Sequence, residues 1–132
     1  YCRMLVGGDD VMLNCLAVGL GGFVGAVLRY LISLIPIKNP GAFPINTFII
    51  NIAGAFAIGC IVVAASKNEN IDARALLFLK VGICGGFTTF STFSLETAEL
   101  IKSGSVVTAV IYVILSILIG VLAVMLPQLA FK

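Results

Sequence analysis

Four long apolar stretches joined by short connectors dominate this chain, and they leave few folds open to it. The stretches cover residues 13–35, 44–65, 73–101 and 106–126, and the connectors are residues 36–43, 66–72 and 102–105. Each stretch reaches the roughly 20 residues that take an α-helix across the hydrocarbon of a bilayer. Lipid offers no partner to a bare N–H or C=O, so such segments must close their hydrogen bonds internally, as helices. Composition agrees: 61% of the 132 residues are apolar and 11% charged, where soluble domains run at about 45–50% and about 25%. The predicted fold is an all-α membrane protein with four transmembrane helices per chain, filling residues 13–132 and leaving no stretch for a soluble domain. Residues 1–12 carry Asp9 and Asp10 and have no clear period. They read as a disordered leader or an extension ahead of Met12. The first span does not read as a signal peptide, because Arg29 interrupts it and no cleavage site of small residues follows.

Charge and composition exclude several functions. The net charge of +2 is small and scattered, so nucleic acid is not an expected partner. Arg3, Lys67, Arg74 and Lys132 fall on the side of the N-terminus, and Lys38 and Lys102 on the other. Without the leader the bias drops to one residue, and the positive-inside rule barely chooses an orientation. Cys2, Cys15, Cys60 and Cys84 include no CxxC pair and read as small buried hydrophobes. The chain has no histidine, which removes the commonest general base. Glu96 and Glu99 are the only carboxylates near a polar segment, and neither has a His or Cys at suggestive spacing. An enzyme is not expected.

The third stretch is the unusual one. Between Gly85 and Ser94 it holds seven Gly, Ser and Thr residues, which cannot face acyl chains and must line a cavity, a pore or an interface. Gly82, Gly85 and Gly86 are expected to break this helix at mid-membrane, freeing carbonyls that survive only if buried, hydrated or bound to a cation. Winding a helix at about 100° per residue after the break puts Phe90, Phe93, Ser94 and Thr97 on one face. Thr88, Ser91, Thr92 and Glu99 fall on the other, so neither face suits lipid.

The other spans carry fewer signals. Asn51, deep in the second, either bonds a neighbouring helix or presents its amide donors to a passing solute. Arg29 is either a cation that concentrates anions at a vestibule or a side chain that snorkels to the span's end at Ile35, about 9 Å away. Gly21 and Gly25, four apart, favour close helix packing. Thr108, Tyr112, Ser116 and Gly120 recur every fourth residue along one stripe of the last span.

Gly85-Gly-Phe-Thr-Thr-Phe-Ser-Thr-Phe-Ser94, Gly25-x-x-x-Arg29-Tyr30 and Thr47-x-x-x-Asn51-x-x-Gly54 together resemble the Fluc family of fluoride channels, also known as CrcB. The likeness covers nearly the whole chain from Leu13 on, and the motif in the third span is its most specific part. The resemblance implies a dual-topology antiparallel homodimer with two pores, in the plasma membrane of a prokaryote. It implies that the lipid bilayer, fluoride and a second copy are the partners, and that cytoplasmic fluoride leaves passively. By the same resemblance Phe90, Phe93 and Asn51 line the pore, and Ser91, Thr92, Ser94, Tyr112 and Ser116 form its hydroxyl track. A structural sodium ion would be held by backbone oxygens at Gly85 and Thr88. Gly120 stands where some members have a hydroxyl, and the acidic leader departs from the family pattern. The main alternative, a small four-span proton-coupled multidrug exporter, needs a carboxylate within the first span, and residues 13–35 hold none. A membrane subunit without a transport role would leave the polar lining of the third span without a purpose.

Overall fold

The computed structural model describes residues 8–37, 41–68 and 70–131, and Cys2, Arg3, Lys38 and Lys132 lie outside them. The described chain is helical, in four spans long and apolar enough to cross a membrane. Helix α1 covers Gly8–Ser33 and α2 covers Ile45–Lys67. The third span is built from α3 (Ala73–Leu76), a π-helical segment (Leu77–Cys84), α4 (Gly85–Phe87) and α5 (Phe90–Lys102). Helix α6 runs over Val106–Ala130. Helix α1 already includes Gly8–Met12, the second part of the stretch read as a leader; residues 1–7 lie outside the described residues.

Local chemistry sets several of these boundaries. Asp72 caps α3 by accepting the Arg74 N–H at 3.3 Å, as a short carboxylate does at a helix start. Thr89 does the same for α5, its Oγ1 accepting the Thr92 N–H at 3.2 Å. The turn from α5 to α6 passes through Gly104 at φ +86°, a left-handed conformation that a side chain would strain.

The spans alternate in direction. At one end Arg74 pairs with Asp10 at 3.6 Å and bonds Asn14 at 3.4 Å, and Lys67 stands over the Phe131 ring at 5.5 Å. At the other end Asn46 ties to the Ile35 carbonyl at 2.8 Å. The Arg74–Asp10 pair is exposed, so it contributes about 0–1 kcal/mol and does not hold the bundle together.

Packing does that, in two seams. Helix α1 lies on the π-helical segment and α4, while α2 and α5 lie on α6. The first seam is glycine against glycine. A β-carbon at Gly21 would strike the Phe78 carbonyl oxygen and come within 2.9 Å of Gly82 Cα; one at Gly25 would strike Ile83 O and stand 2.7 Å from Phe87 N. From the other side, a β-carbon on Gly86 would lie 2.5 Å from Gly22 O. The small pair in the first span therefore serves close backbone contact, as its spacing suggested. The second seam holds the buried core: Leu100, Ala109 and Tyr112, with Phe43, Phe48 and Phe93 packed around them. Phe43 meets Phe48 and Tyr112 edge-on, at 5.3 and 5.2 Å between ring centres, a favoured aromatic geometry. Large side chains such as Leu20, Phe23, Val107 and Leu122 point outward, which suits lipid or another subunit and not water.

The third span departs from expectation in where its helix stops. Gly85 was expected to begin the break, yet it is helical, at φ −66° and ψ −38°. Gly82 and Gly86 are helical as well, because their missing side chains serve the contact with α1. Helical geometry lapses only at Thr88 (φ −76°, ψ 155°) and Thr89 (φ −148°, ψ 113°), midway along the span.

Candidate functional site

Two extended residues in a span this apolar leave backbone groups that need partners, and Asn51 supplies them. The Thr89 N–H donates to Asn51 Oδ1 at 2.8 Å, and Asn51 Nδ2 donates back to the Thr89 carbonyl at 3.2 Å. An unbroken helix would have given that N–H to the Gly85 carbonyl. Asn51 diverts it, so one side chain both satisfies the interruption and keeps it open. Gly54, one turn further along α2, makes room for this: a β-carbon there would collide with Thr88 Cγ2. Thr88 completes the local closure, its N–H and its hydroxyl both reaching the Cys84 carbonyl, at 3.0 and 2.9 Å.

A second polar cluster lies about two turns further along, in α5. Glu96 accepts from Thr47 Oγ1 at 2.8 Å on one carboxylate oxygen and from the Tyr112 hydroxyl at 2.9 Å on the other. Tyr112 is fully buried and Thr47 nearly so. The cluster joins α2, α5 and α6 around one carboxyl group, which in a span needs such partners.

Two cavities flank the clasp, and Thr89 belongs to both. One, of about 400 Å³, is lined by Arg29, Asn46, Thr47, Thr92 and Glu96 among others. The other, of about 440 Å³, is lined by Asn51, Lys80, Phe90, Phe93 and Ser116 among others. Phe93 is half-buried and packs on Tyr112 at 5.0 Å between ring centres; Phe90 lies 5.7 Å from Phe93 and is 79% exposed. Ser116 contributes a buried hydroxyl without a hydrogen-bond partner.

The residues picked out from the sequence thus separate. Asn51, Phe90, Phe93, Ser116 and Thr88 meet at the second cavity, together with Gly85. Arg29 and Thr92 line the first, and Tyr112 reaches it through Glu96. Ser91 and Ser94 are exposed on α5, and the Ser94 hydroxyl turns back to the Phe90 carbonyl at 2.9 Å. Gly120 faces Ile52, whose Cδ1 would lie 3.8 Å from a β-carbon there. Thr47, Glu96, Thr89 and Lys80 were not picked out as site residues. The depth of Glu96 and Lys80 within an apolar stretch was the available signal, since ionisable groups there are rare and functional by default. Thr89 lay within the polar run from Gly85 to Ser94 and Thr47 at the head of the Thr47-x-x-x-Asn51 motif, but each was read through its neighbours and given no role of its own.

Polar groups gathered inside a bundle whose outer surface is apolar define a multi-pass membrane protein with its working parts between the spans. Residues 16–128 match the family described as CrcB-like protein, Camphor Resistance (CrcB), and the chain belongs to that family. Among its relatives, a protein of Ruminiclostridium cellulolyticum is 47% identical over 122 residues, covering 92% of this chain and 94% of its own length. One of Azobacteroides pseudotrichonymphae is 42% identical over 110 residues (83% and 88%), and one of Clostridium perfringens 45% over 118 (89% and 92%). All three bear the name Fluoride-specific ion channel FluC. The family is one of ion channels, not of enzymes.

Proposed function

We propose that this chain is a passive, fluoride-selective channel that lets cytoplasmic fluoride out, working as an antiparallel homodimer with two pores. The observation that carries the reading is the Asn51–Thr89 clasp, which opens onto a cavity with the donors and ring edges a small anion needs. Asn51 uses one Nδ2 hydrogen on the Thr89 carbonyl, and its second is available to an anion. The Ser116 hydroxyl, buried and unpartnered, is another donor. Phe90 and Phe93 border the same cavity, and aromatic edges carry partial positive charge. Together these replace water that fluoride sheds on entry. A negative-inside potential drives an anion outward by roughly 2.3 kcal/mol per 100 mV, so export needs no energy source of its own.

Three features support a second copy as the missing wall. Phe90 is exposed although it borders the proposed path. Gly85 is exposed beside it. The near-balance of charged connectors favours neither insertion strongly. Covered by a partner, Ser91 and Ser94 on the outer side of α5 would join the hydroxyl track with Thr92 and Tyr112. The sodium site would lie at the same seam. As the family resemblance implies, backbone oxygens would hold the ion. The Gly85 carbonyl, deprived of the Thr89 N–H, and that of Thr88 suit a hard cation. Bound there, sodium would supply a fixed charge and a tie between two copies.

The test is efflux from proteoliposomes under a potassium gradient with valinomycin. Fluoride should leave and chloride should not; comparable chloride release contradicts the reading. In the same assay Phe90→Ile or Phe93→Ile should cut fluoride flux about tenfold while the elution profile in detergent stays unchanged, because an aliphatic chain has no positive edge to offer. Unchanged flux in both variants would assign the rings to packing alone.

A further inference from the structure

Phe43 is the last residue of the first connector, yet its ring packs into the buried core with Leu100, Ala109 and Tyr112. The backbone that carries it has little freedom. The Ile45 N–H donates to the Phe43 carbonyl at 2.8 Å, with Pro44 between them at φ −75° and ψ 75°. That is an inverse γ-turn, and the proline ring sets its φ in advance. Gly41, at φ +75°, lets the connector lie against the turn from α5 to α6; a β-carbon there would stand 2.8 Å from Ser105 Oγ. Phe48, in the first turn of α2, braces the Phe43 ring edge-on.

Phe43 is aimed at Tyr112. The two rings meet at 5.2 Å and 79°. Tyr112 is fully buried, and its hydroxyl is held by Glu96. The same ring packs on Phe93 at 5.0 Å and 55°, and Phe93 borders the cavity beside Asn51. A connector, α6 and α5 thus each give one ring to a chain that runs from the end of the bundle to the cavity. The tilt of the last ring matters because its edge is positive and its face negative. An anion is drawn to the edge and repelled by the face, so a ring beside an anion path has to be held at one angle. Phe90, the other ring against Phe93, is itself exposed and gives little hold. Without Phe43, the Tyr112 side chain keeps its hydroxyl tether and gains a void into which its ring can turn.

We propose that Phe43 is a positioning residue for the anion path: through Tyr112 it fixes the tilt of Phe93, so that the ring's edge and not its face meets fluoride. The proposal rests on the channel reading above and adds to it a residue outside the path. Phe43 does not line the cavity beside Asn51, so its effect has to pass through the two rings.

The experiment measures fluoride efflux from proteoliposomes, per amount of protein that elutes as the parent does. It compares the parent, Phe43→Leu, Phe43→Met, Phe43→Tyr, Phe93→Ile and the double variant Phe43→Leu with Phe93→Ile. Phe43→Leu and Phe43→Met fill the space without a ring and should each cut flux about fivefold, whereas Phe43→Tyr keeps the ring and should stay within about twofold of the parent. In the Phe93→Ile background, Phe43→Leu should change flux by less than about twofold, because no ring is left to tilt. Parental flux in both ringless variants would overturn the proposal, as would losses that multiply in the double variant, or a Phe43→Tyr as slow as Phe43→Leu. Failure of both ringless variants to assemble would overturn it too, since the ring would then serve folding. Parental flux in Phe93→Ile removes the ring on which the proposal acts. A parent that releases no fluoride defeats the channel reading itself, a result distinct from all of these.

Discussion

Asn51→Leu should abolish most of the fluoride flux and destabilise the bundle at the same time. The leucine matches the amide in size but leaves the Thr89 N–H and carbonyl, both aimed at position 51, with no replacement acceptor or donor. Each unsatisfied buried group costs about 1–3 kcal/mol. The interrupted segment can recover one bond by winding Thr89 back toward the Gly85 carbonyl, which would close the cavity between Asn51 and Phe93. The flux loss should be about a hundredfold, since two such groups shift the population of the open arrangement by roughly two powers of ten. Efflux measured beside a thermal melt in detergent separates the two effects. Asn51→Asp keeps the acceptor for the Thr89 N–H and loses the amide donor. It should therefore restore part of the stability and little of the flux. A leucine variant that conducts like the parent would remove the clasp from the account.

Gly25→Leu should prevent correct assembly. A side chain there has to displace the backbone at Ile83 and Phe87, because the obstructing atoms are a carbonyl oxygen and an amide nitrogen and not the end of a flexible chain. Overpacking a close contact costs about 1–3 kcal/mol and more when backbone must move. In lipid, where helices gain little from hiding apolar surface from one another, this contact is much of what joins α1 to the third span. Gly19→Leu is the control, since a β-carbon at Gly19 meets nothing within 4 Å. The two variants carry the same substitution on the same helix. Aggregation of Gly25→Leu in size-exclusion chromatography beside a normal profile for Gly19→Leu is the expected pair of results. Equal behaviour would mean that the seam tolerates separation.

The spans were legible because a bilayer imposes length and apolarity on any helix that crosses it. The boundaries at Ala73 and Val106, and the role of Gly21 and Gly25, follow from that and from small-residue spacing. The position of the interruption does not. Three glycines suggested a break that begins by Gly85 and runs to Thr88, because a glycine considered alone is a breaker. In the bundle, Gly82 and Gly86 are contact surfaces for α1, and the contact holds them helical. Helix is lost where a distant side chain competes for the backbone, and Asn51, thirty-eight residues away in sequence, could not be matched to Thr89 by any local rule. The same holds for Glu96. It was set aside for want of a His or Cys nearby, yet its partners are two hydroxyls, from Thr47 on α2 and Tyr112 on α6. Hydroxyl-to-carboxylate pairing across helices leaves no spacing signature in a single chain.

The central claim is passive, fluoride-selective conduction along a path beside the Asn51–Thr89 clasp. Its most direct test is a planar-bilayer recording of the purified protein, with fluoride at unequal concentrations on the two sides and chloride in symmetrical excess. The account predicts a steady current that reverses at the Nernst potential of fluoride, needs no proton gradient and is nearly absent in Asn51→Leu. A reversal potential that follows chloride or the proton gradient, or the absence of current from protein that elutes normally, would contradict it.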